Sequence, residues 1–446
     1  MSSNNKRRIN IPILIVLIGF LIGILIILAI LFEVFAKQSG QGWTEELFEE
    51  ETNEVIEDTT TIEEEATVVE EQTSNEVETT NTERTELMGD VYDFEYDMLS
   101  TTENSNFSPL SLRYAMLALQ AGANDEVAQK IGEFNLTTDL DASLEEFQEM
   151  MNGIETTEIA NGIFIDNGLN NPVIIDSYKE QMQKSLDMEV QDVNFGSGEA
   201  QEVINSWVED KTHGLITEFQ VDNSTSAAIL NALYYKDKWK YFDEADTDKQ
   251  MFTTPEGEKE VDMMHSTLKK SSEYILYRWD GYYELELFLE NSTLNIILPD
   301  EDKTLEEVIE AVRNCEEAPS REKYDSVIVS LPKFKFNTSG SLKELLIQYG
   351  LTDIFESTPG MFSNMAEQDV YVSDVVQKTT VEVNEEGAEA SAVTGVMVKN
   401  TALMLDTPTT FEFNVNRPFL FEIWSNDESM GHEELFIGTV VDPTAE

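Results

Sequence analysis

The sequence predicts an α+β domain, in which helical and strand-like segments are mixed irregularly and no internal repeat organises them. Residues 227–235 form a near-continuous apolar run, which is typical of a central strand covered on both faces. The chain of 446 residues is long enough for a large core, and length alone would allow two or three domains.

The order of the elements follows from caps, breakers and periodicity. A first helix is predicted at 87–100, and Ser108 caps a second, which carries Pro109 in its first turn and ends near Gly122. Asn124 or Asp125 caps the helix after that. Further helices are predicted at 177–186, 203–212, 305–312 and 341–349, and strands at 159–165, 283–289, 293–298, 326–331 and 379–383.

The chain is strongly acidic, with 88 Asp and Glu residues against 28 Lys and Arg residues and a formal net charge of −60. Phosphate contacts need clustered Lys and Arg, so we expect no nucleic-acid partner. The acidity favours solubility and tolerance of high salt, and it would also steer the chain toward cationic partners. The composition leaves salt adaptation and partner binding open.

The N-terminal segment predicts a membrane anchor followed by a tether. Basic residues at 1–8 precede an apolar run at 9–35, which is long enough to cross ~30 Å of hydrocarbon as a helix with the basic end in the cytoplasm. Residues 36–86 are rich in Glu and Thr and predict a disordered linker, and the folded domain follows at 87–446. The alternative is a signal peptide cleaved after Ala36, which would release a secreted protein. The apolar run is much longer than the usual ~7–15 residues of such a peptide.

The stretch 377–402 is the most informative part of the sequence. Residues 379–383 alternate as a strand, and Glu385, Glu386 and Gly387 then break the pattern. After the break, alternate positions 388, 390 and 392 are all Ala, while Glu389 and Ser391 lie between them. This pattern fits a strand that slots between two others, and it equally fits a mobile loop.

Five sequence motifs occur in order along the folded domain. They are NFSPLS at 106–111, NALYYKDKW at 231–239, LPKF at 331–334, EEGAEASA at 385–392 and FNVNRPFLFEI at 413–423. Together they resemble the serpins, the serine protease inhibitors. The resemblance covers the chain from about Leu87 to its end. It implies one serpin domain, with helices around a large central mixed β-sheet, smaller sheets and an exposed reactive-centre loop near residues 387–410.

The resemblance also implies a mechanism and a set of site residues. The loop hinge comprises Glu385, Glu386, Gly387, Ala388, Glu389, Ala390, Ser391 and Ala392. The target protease would form an acyl-enzyme with the residue before the cut bond, and the cut loop would enter the main sheet as a new strand. Spacing in inhibitory serpins places the reactive bond between Thr401 and Ala402, which suits an elastase- or subtilisin-like protease. Lys399 is the alternative, and would suit a trypsin-like protease.

A second set of residues corresponds to the region where the sheet opens. Ser108, Ser111 and Asn231 match the family's polar cluster beneath the opening strands, where Gln377 replaces the usual histidine. Lys333 and Glu385 match an ion pair near Trp239, where insertion begins. Ordinary fold stability is the other interpretation of each of these residues.

Enzyme classes find little support in the sequence. His213, His265 and His432 are scattered without metal-ligand spacing, and neither a phosphate-binding loop nor a nucleophile elbow is present. Cys315 is the sole cysteine, so no intrachain disulfide is possible. The acidic run Asp243, Glu244, Asp246 and Asp248 lacks the spacing of a calcium loop. We therefore expect no catalytic set, no metal and no cofactor.

The sequence as a whole predicts a monomeric serpin on the extracellular side of a single-pass membrane helix. Its partner would be a serine protease, with cysteine proteases as a further class. The alternative function is a non-inhibitory binding module with the same fold at the cell surface.

Overall fold

The computed structural model describes residues 93–445 with gaps at 138, 154–156, 169–171, 213, 215–217, 219–224, 236, 270–271, 315–318, 388–408 and 427–432. These residues belong to one compact unit, which runs from Arg84 to Glu446. The predicted membrane helix at 9–35 and linker at 36–86 lie outside the described residues. Within the described ranges, no helix is long and apolar enough to cross a membrane.

Eight helices and sixteen strands alternate irregularly along the described chain. The helices are α1 at 93–97, α2 at Pro109–Gly122, α3 at Asp125–Phe134, α4 at Leu140–Gly153, α5 at Asp176–Leu186, α6 at Glu199–Lys211, α7 at Leu305–Arg313 and α8 at Lys343–Gln348. The strands of the first half are β1 at Ser105–Phe107, β2 at Thr157–Asp166, β3 at Glu189–Val193, β4 at Ala227–Tyr235, β5 at Thr247–Thr254, β6 at Gly257–Leu268, β7 at Tyr274–Trp279 and β8 at Tyr282–Phe288. Those of the second half are β9 at Ser292–Pro299, β10 at Ser320–Glu322, β11 at Ser326–Pro332, β12 at Phe334–Ser341, β13 at Asp374–Val383, β14 at Thr410–Asn414, β15 at Phe419–Ser425 and β16 at Glu434–Val440.

The predicted helix starts at Ser108 and Asn124 are confirmed. The Ser108 hydroxyl accepts a hydrogen bond from the backbone N–H of Ser111, with Pro109 opening α2. The Asn124 side chain accepts from the N–H of Val127 in the same way. These caps hold two helices whose apolar faces enter the core.

A mixed five-stranded sheet, in the order β12-β13-β4-β2-β3, contains the strands that flank the hinge. The apolar run at Ala227–Tyr235 is its middle strand, β4, as the sequence predicted. β13 pairs antiparallel with β12 but parallel with β4, and β4 pairs antiparallel with β2. The sheet therefore has two parallel junctions, one between β4 and β13 and one at the edge between β2 and β3.

Two further sheets complete the architecture. A seven-stranded sheet, in the order β1-β16-β15-β9-β8-β7-β10, is antiparallel throughout. A four-stranded sheet has the order β14-β11-β6-β5, and its edge strand β14 follows the gap at 388–408. The main core lies among these sheets and α2, and a smaller one packs α6 on the five-stranded sheet around Phe164 and Trp207.

Some element predictions were wrong in their bounds or type. The helix predicted at 341–349 is confirmed as α8 at Lys343–Gln348, but the strand β12 at Phe334–Ser341, which begins within the LPKF motif, was not predicted. β13 begins at Asp374 rather than 379, and α6 begins at Glu199 rather than 203. In each case pairing or packing with a distant partner extends the element beyond its local pattern.

Candidate sheet-opening site

The junction between β4 and β13 is the feature around which the candidate site is built. Seven residue pairs join the strands in parallel register, from Asp374 opposite Ala228 to Thr380 opposite Tyr234. We call this junction the seam. A parallel pair is slightly less stable per residue than an antiparallel pair. A strand that entered the seam against the direction of both neighbours would replace one parallel ladder with two antiparallel ones.

The chain that leaves β13 turns back toward the seam at once. Asn384 and Gly387 exchange backbone hydrogen bonds of 3.0 and 3.2 Å, which closes a four-residue turn. Gly387 also forms an antiparallel bridge with Lys238, three residues beyond β4. The last residue described before the gap therefore stands at the mouth of the seam in the orientation that an inserting strand needs.

The geometry of this turn requires a glycine at position 387. Its φ of +112° is a conformation that residues with a Cβ rarely adopt. A Cβ on Gly387 would lie 2.3 Å from the carbonyl oxygen of Asp237 and 2.7 Å from Cα of Lys238. The close approach of these two backbones explains the glycine that the sequence placed at the break.

Trp239 fixes the turn from beneath. Its indole N–H donates to the carbonyl oxygens of Asn384 and Glu385, at 3.1 and 3.0 Å. The ring is buried and packs against Tyr241 and Phe242. The hinge is thus tied to a rigid aromatic cluster that follows β4 in the chain.

Lys333 and Glu385 form the ion pair that the sequence comparison indicated. Lys333 Nζ lies 2.8 Å from Glu385 Oε2, and the Thr247 hydroxyl donates to Glu385 Oε1 at 2.7 Å. Burial by itself would raise the pKa of Glu385, but the hydrogen bonds from Lys333 and Thr247 outweigh it, and the pKa lies below the ordinary value. The carboxylate is therefore held ionised at the top of the seam.

A buried polar cluster lies beneath the middle of the seam. Gln377, on β13, accepts a hydrogen bond from the backbone N–H of Ser108 at 2.8 Å and donates to the carbonyl oxygen of Ser108 at 3.0 Å. Thr379 donates to the carbonyl and side-chain oxygens of Asn106. Both strand residues are buried, so β13 is held to the start of α2 by polar contacts.

Asn231 stands opposite Gln377 across the seam. Its amide donates to the Asn161 side chain on β2, and at 3.4 Å to the carbonyl of Ser111. Three buried atoms of the cluster have no hydrogen-bond partner among the described residues, namely Asn231 Oδ1, Ser111 Oγ and Asn106 Nδ2. An unsatisfied buried polar atom costs about 1–3 kcal/mol, so the closed seam carries a polar penalty.

The structure brings together some of the residues that the sequence singled out and leaves others outside its described part. Ser108, Ser111, Asn231, Trp239, Lys333, Gln377, Glu385, Glu386 and Gly387 all lie along the seam or its mouth. Ala388, Glu389, Ala390, Ser391, Ala392, Lys399, Thr401 and Ala402 lie outside the described residues. The sequence missed Asn106, Asn161, Thr247 and Thr379, because isolated Asn and Thr residues carry no local signal of a shared cluster.

A cleft of about 570 Å³ opens beside the ion pair, between Lys333, Lys335, Glu382 and the C-terminal residues 443–445. Both lysines already face carboxylates, with Lys335 Nζ 2.6 Å from Glu382. Among the residues described, no group of three or more His, Cys, Asp or Glu has the geometry of a metal site.

Of the residues considered for enzyme or metal chemistry, His213, His432 and Cys315 lie outside the described part of the chain. His265 joins Ser330 and Asp248 in a hydrogen-bonded line across β11, β6 and β5, at 3.0 and 3.1 Å. Asp243 caps a short 3₁₀ turn at Glu244–Asp246.

Comparison with known proteins decides the family. The model of the family described as serpin (serine protease inhibitor) matches residues 92–443. The chain belongs to the serpin family. Serpin B6 of Macaca fascicularis is 30% identical over 386 residues, which cover 78% of this serpin and 97% of that protein. Leukocyte elastase inhibitor A of Mus musculus is 29% identical over 370 residues, which cover 77% and 94%.

Solved structures agree on the fold. Human thyroxine-binding globulin, in complex with thyroxine, superposes with a TM-score of 0.67 at 20% identity, covering 81% of this serpin and 99% of that chain. The predicted serpin fold is therefore confirmed. At this level of identity the likeness concerns the fold alone, since one fold carries several functions.

Proposed function

We propose that this serpin inhibits serine proteases as a suicide substrate, by inserting its cut reactive-centre loop into the five-stranded sheet. The observation that carries the proposal is the parallel seam with the hinge turn at its mouth. An inserted strand that continues from Gly387 runs antiparallel to both β13 and β4. β13 and the inserted strand would then form a β-hairpin, in which the present turn is remade and Gly387 joins the inserted strand.

The energetics favour insertion once the loop is cut. Roughly a dozen residues entering the seam would gain ladder hydrogen bonds worth ~0.5–1.5 kcal/mol each, on the order of 10 kcal/mol in total. The unpartnered atoms of Asn231, Ser111 and Asn106 add to the cost of the closed state. Ala388, Ala390 and Ala392 would occupy the buried face of the new strand, where small uncharged side chains meet no desolvation penalty.

The hinge contacts supply the restraint that keeps the loop outside before cleavage. The Lys333–Glu385 pair, the two indole hydrogen bonds of Trp239 and the Gly387 bridge all act on the four residues of the turn. Insertion must remake these contacts, so they oppose premature entry. We assign Ser108, Ser111, Asn231 and Gln377 to the floor of the seam, where their polar contacts would rearrange as β4 and β13 part.

The reactive bond is proposed between Thr401 and Ala402, with Lys399 as the alternative residue before the bond. Threonine suits a protease with a small or β-branched specificity pocket, and the similarity to a leukocyte elastase inhibitor supports an elastase-like target. The basic residues and apolar run at the N-terminus support a location on the outer side of a membrane, with residues 36–86 as the tether.

A binding module without inhibitory activity is the second candidate, because thyroxine-binding globulin has the same fold. The alanines of the hinge favour inhibition over this candidate, since a passive carrier has no need for small residues at alternate hinge positions.

The deciding experiment incubates the full-length protein with elastase-like, subtilisin-like and trypsin-like proteases and looks for complexes that survive SDS. Mass spectrometry of the released C-terminal peptide identifies the cut bond. Ala388→Arg places a charge that costs several kcal/mol to bury, so we expect cleavage without complex formation. Glu389→Arg is the matched control on the other face of the strand, and it should still trap. A trapped complex with Ala388→Arg would contradict the mechanism.

A further inference from the structure

A group of buried carboxyl side chains lies between α1 and the seven-stranded sheet, apart from the residues of the hinge and the seam. Glu95 of α1, Glu422 of β15 and Glu434 of β16 are 6–8% exposed. Glu95 and Glu434 are hydrogen-bonded to each other, which two carboxyl groups can do only when they hold a proton between them. The seam and the proposed inhibition make no use of these residues.

The strands place the other members of the cluster on the same face. Asn295 of β9 is paired with Glu422 of β15, and its amide lies 3.3 Å from Glu284 of β8 and 3.5 Å from Glu422. The indole N–H of Trp279 donates to Glu284, and that of Trp424 donates to Glu422. These neutral donors hold two of the carboxyls but bring no positive charge.

Among the described residues, the arginines on the neighbouring helices α7 and α2 are engaged elsewhere. Arg313 of α7 binds Asp97 and the carbonyl oxygen of Asp93, on α1, and lies over the ring of Tyr96. Arg113 of α2 lies 2.8 Å from Glu433, the neighbour of Glu434 in the chain. Within the described part of the chain, the charged groups that perturb Glu95 are Glu422 and Glu434, and none of them is a cation.

We propose that Glu95 and Glu434 form a proton-held latch, which docks α1 on the seven-stranded sheet while the pair is protonated and releases it when the proton is lost. With no cation among the described groups that act on the pair, a second negative charge in this buried site is opposed by burial and by the charge of Glu422. Asp93 and Asp97 of α1 pair with Arg313, so this arginine supplies no counter-charge to Glu95 or Glu434.

The direction of the effect follows from the raised pKa values. Burial, and secondly the charge of Glu422, raise the pKa of Glu95 from 4.5 to about 8. Burial raises the pKa of Glu284 to about 7 and that of Glu434 well above its ordinary value. An acid whose pKa is higher in the folded state stabilises the fold fully at low pH, and this stabilisation is lost as the pH rises toward the folded-state pKa. The latch therefore weakens progressively as the pH rises from 4.5 to about 8.

The latch is connected to the floor of the seam through aromatic packing. Phe94, next to Glu95, is buried against Phe107, Phe134 and Tyr349, with ring centroids 5.2–5.8 Å apart. Phe107 directly precedes Ser108, whose backbone holds Gln377 of β13. Release of α1 removes Phe94 from this packing. It thereby weakens the packing around Phe107 and Ser108, which hold Gln377 of β13.

Glu95→Gln tests the latch in the full-length protein, because glutamine keeps the shape and the donor of a protonated carboxyl but does not titrate. The unfolding equilibrium constant of the wild type should rise on the order of a hundred-fold to a thousand-fold between about pH 5 and about pH 9. Glu95→Gln should cut this rise at least ten-fold, while Glu103→Gln, at an exposed glutamate, should leave it unchanged. An unchanged pH profile for Glu95→Gln would overturn the proposal.

Hydrogen exchange in the wild type gives a second readout that needs no variant. After correction for intrinsic exchange, protection of the amides at 93–97 should fall with rising pH, while that of β9, at the centre of the sheet, should not. Protection of α1 that stays constant to about pH 9 would refute the latch. Because neither measurement involves a protease, a negative result would count against the latch and not against the proposed inhibition.

Discussion

Gly387→Ala is the substitution that tests the hinge turn most directly. A Cβ at this position would lie 2.3 Å from the Asp237 carbonyl oxygen, so the turn has to move. Alanine at φ +112° carries about 1–3 kcal/mol of strain, and the shift endangers two Asn384–Gly387 hydrogen bonds worth ~0.5–1.5 kcal/mol each. The intact state should therefore lose on the order of 2–6 kcal/mol.

The assay is thermal unfolding of the full-length protein before and after the loop is cut within residues 388–408. At roughly 2 °C per kcal/mol for a domain of this size, the midpoint of the intact protein should fall by about 4–12 °C. After cleavage and insertion the turn is rebuilt as part of a strand, so the cut form should keep its midpoint.

Gly340→Ala supplies the matched control, because a Cβ at that glycine of β12 meets no atom within 4 Å. Its midpoint should stay close to that of the wild type, since such substitutions change stability by about ±0.5 kcal/mol. The reasoning fails if Gly387→Ala behaves like this control, or if the cut and intact forms lose stability equally.

Two further predictions concern the remaining contacts of the seam. Lys333→Met leaves the buried Glu385 carboxylate without its cation and should cost the intact form about 1–3 kcal/mol. Because the pKa of Glu385 is lowered, the pair stabilises the protein above the ordinary carboxyl pKa and loses this effect as the pH falls. Melting curves of Lys333→Met should lack this loss of stability at acidic pH. Lys335→Met, which removes a more exposed pair, should retain it. Gln377→His replaces a side chain that does not titrate with one whose ordinary pKa is about 6.5. Protonated histidine cannot accept from Ser108, so the variant should lose about 1–2 kcal/mol at about pH 5 relative to about pH 8, by the same assay. Parallel pH profiles for wild type and variant would contradict this reading of the polar cluster.

Several features of the fold could be predicted from local sequence because short-range physics determines them. The cap at Ser108 and the run of β4 depend on residues within a few positions of one another, and both were predicted with their true starts. The glycine at 387 was recognised as a break, since such a residue in an alternating pattern indicates unusual backbone geometry. The Lys333–Glu385 pair was accessible only through the resemblance to a family, because 52 positions separate the two residues in the chain.

Other features of the structure could not be predicted from local sequence patterns. The resemblance to the family placed Asn231 and Gln377 in one polar cluster, but neither the spacing nor the type of Asn106 and Asn161 indicates that they join it. β12 was missed because its sequence, with Asn337, Thr338 and Ser339, has little apolar content, and its pairing with β13 decides its structure. The carboxyl cluster around Glu95 was hidden in a chain with 88 acidic residues, where no single glutamate is conspicuous.

The sequence alone determined that alanines alternate at 388, 390 and 392, that Gly387 breaks the pattern after the predicted strand, and that the motifs of a serpin follow in order, since these are properties of neighbouring residues. Only the tertiary structure decided that β13 meets β4 in parallel, and that Gly387 stands at the mouth of that junction. The direction in which two distant strands run past each other is set by the path of the whole chain. No short stretch of the sequence encodes this relative direction of the two strands.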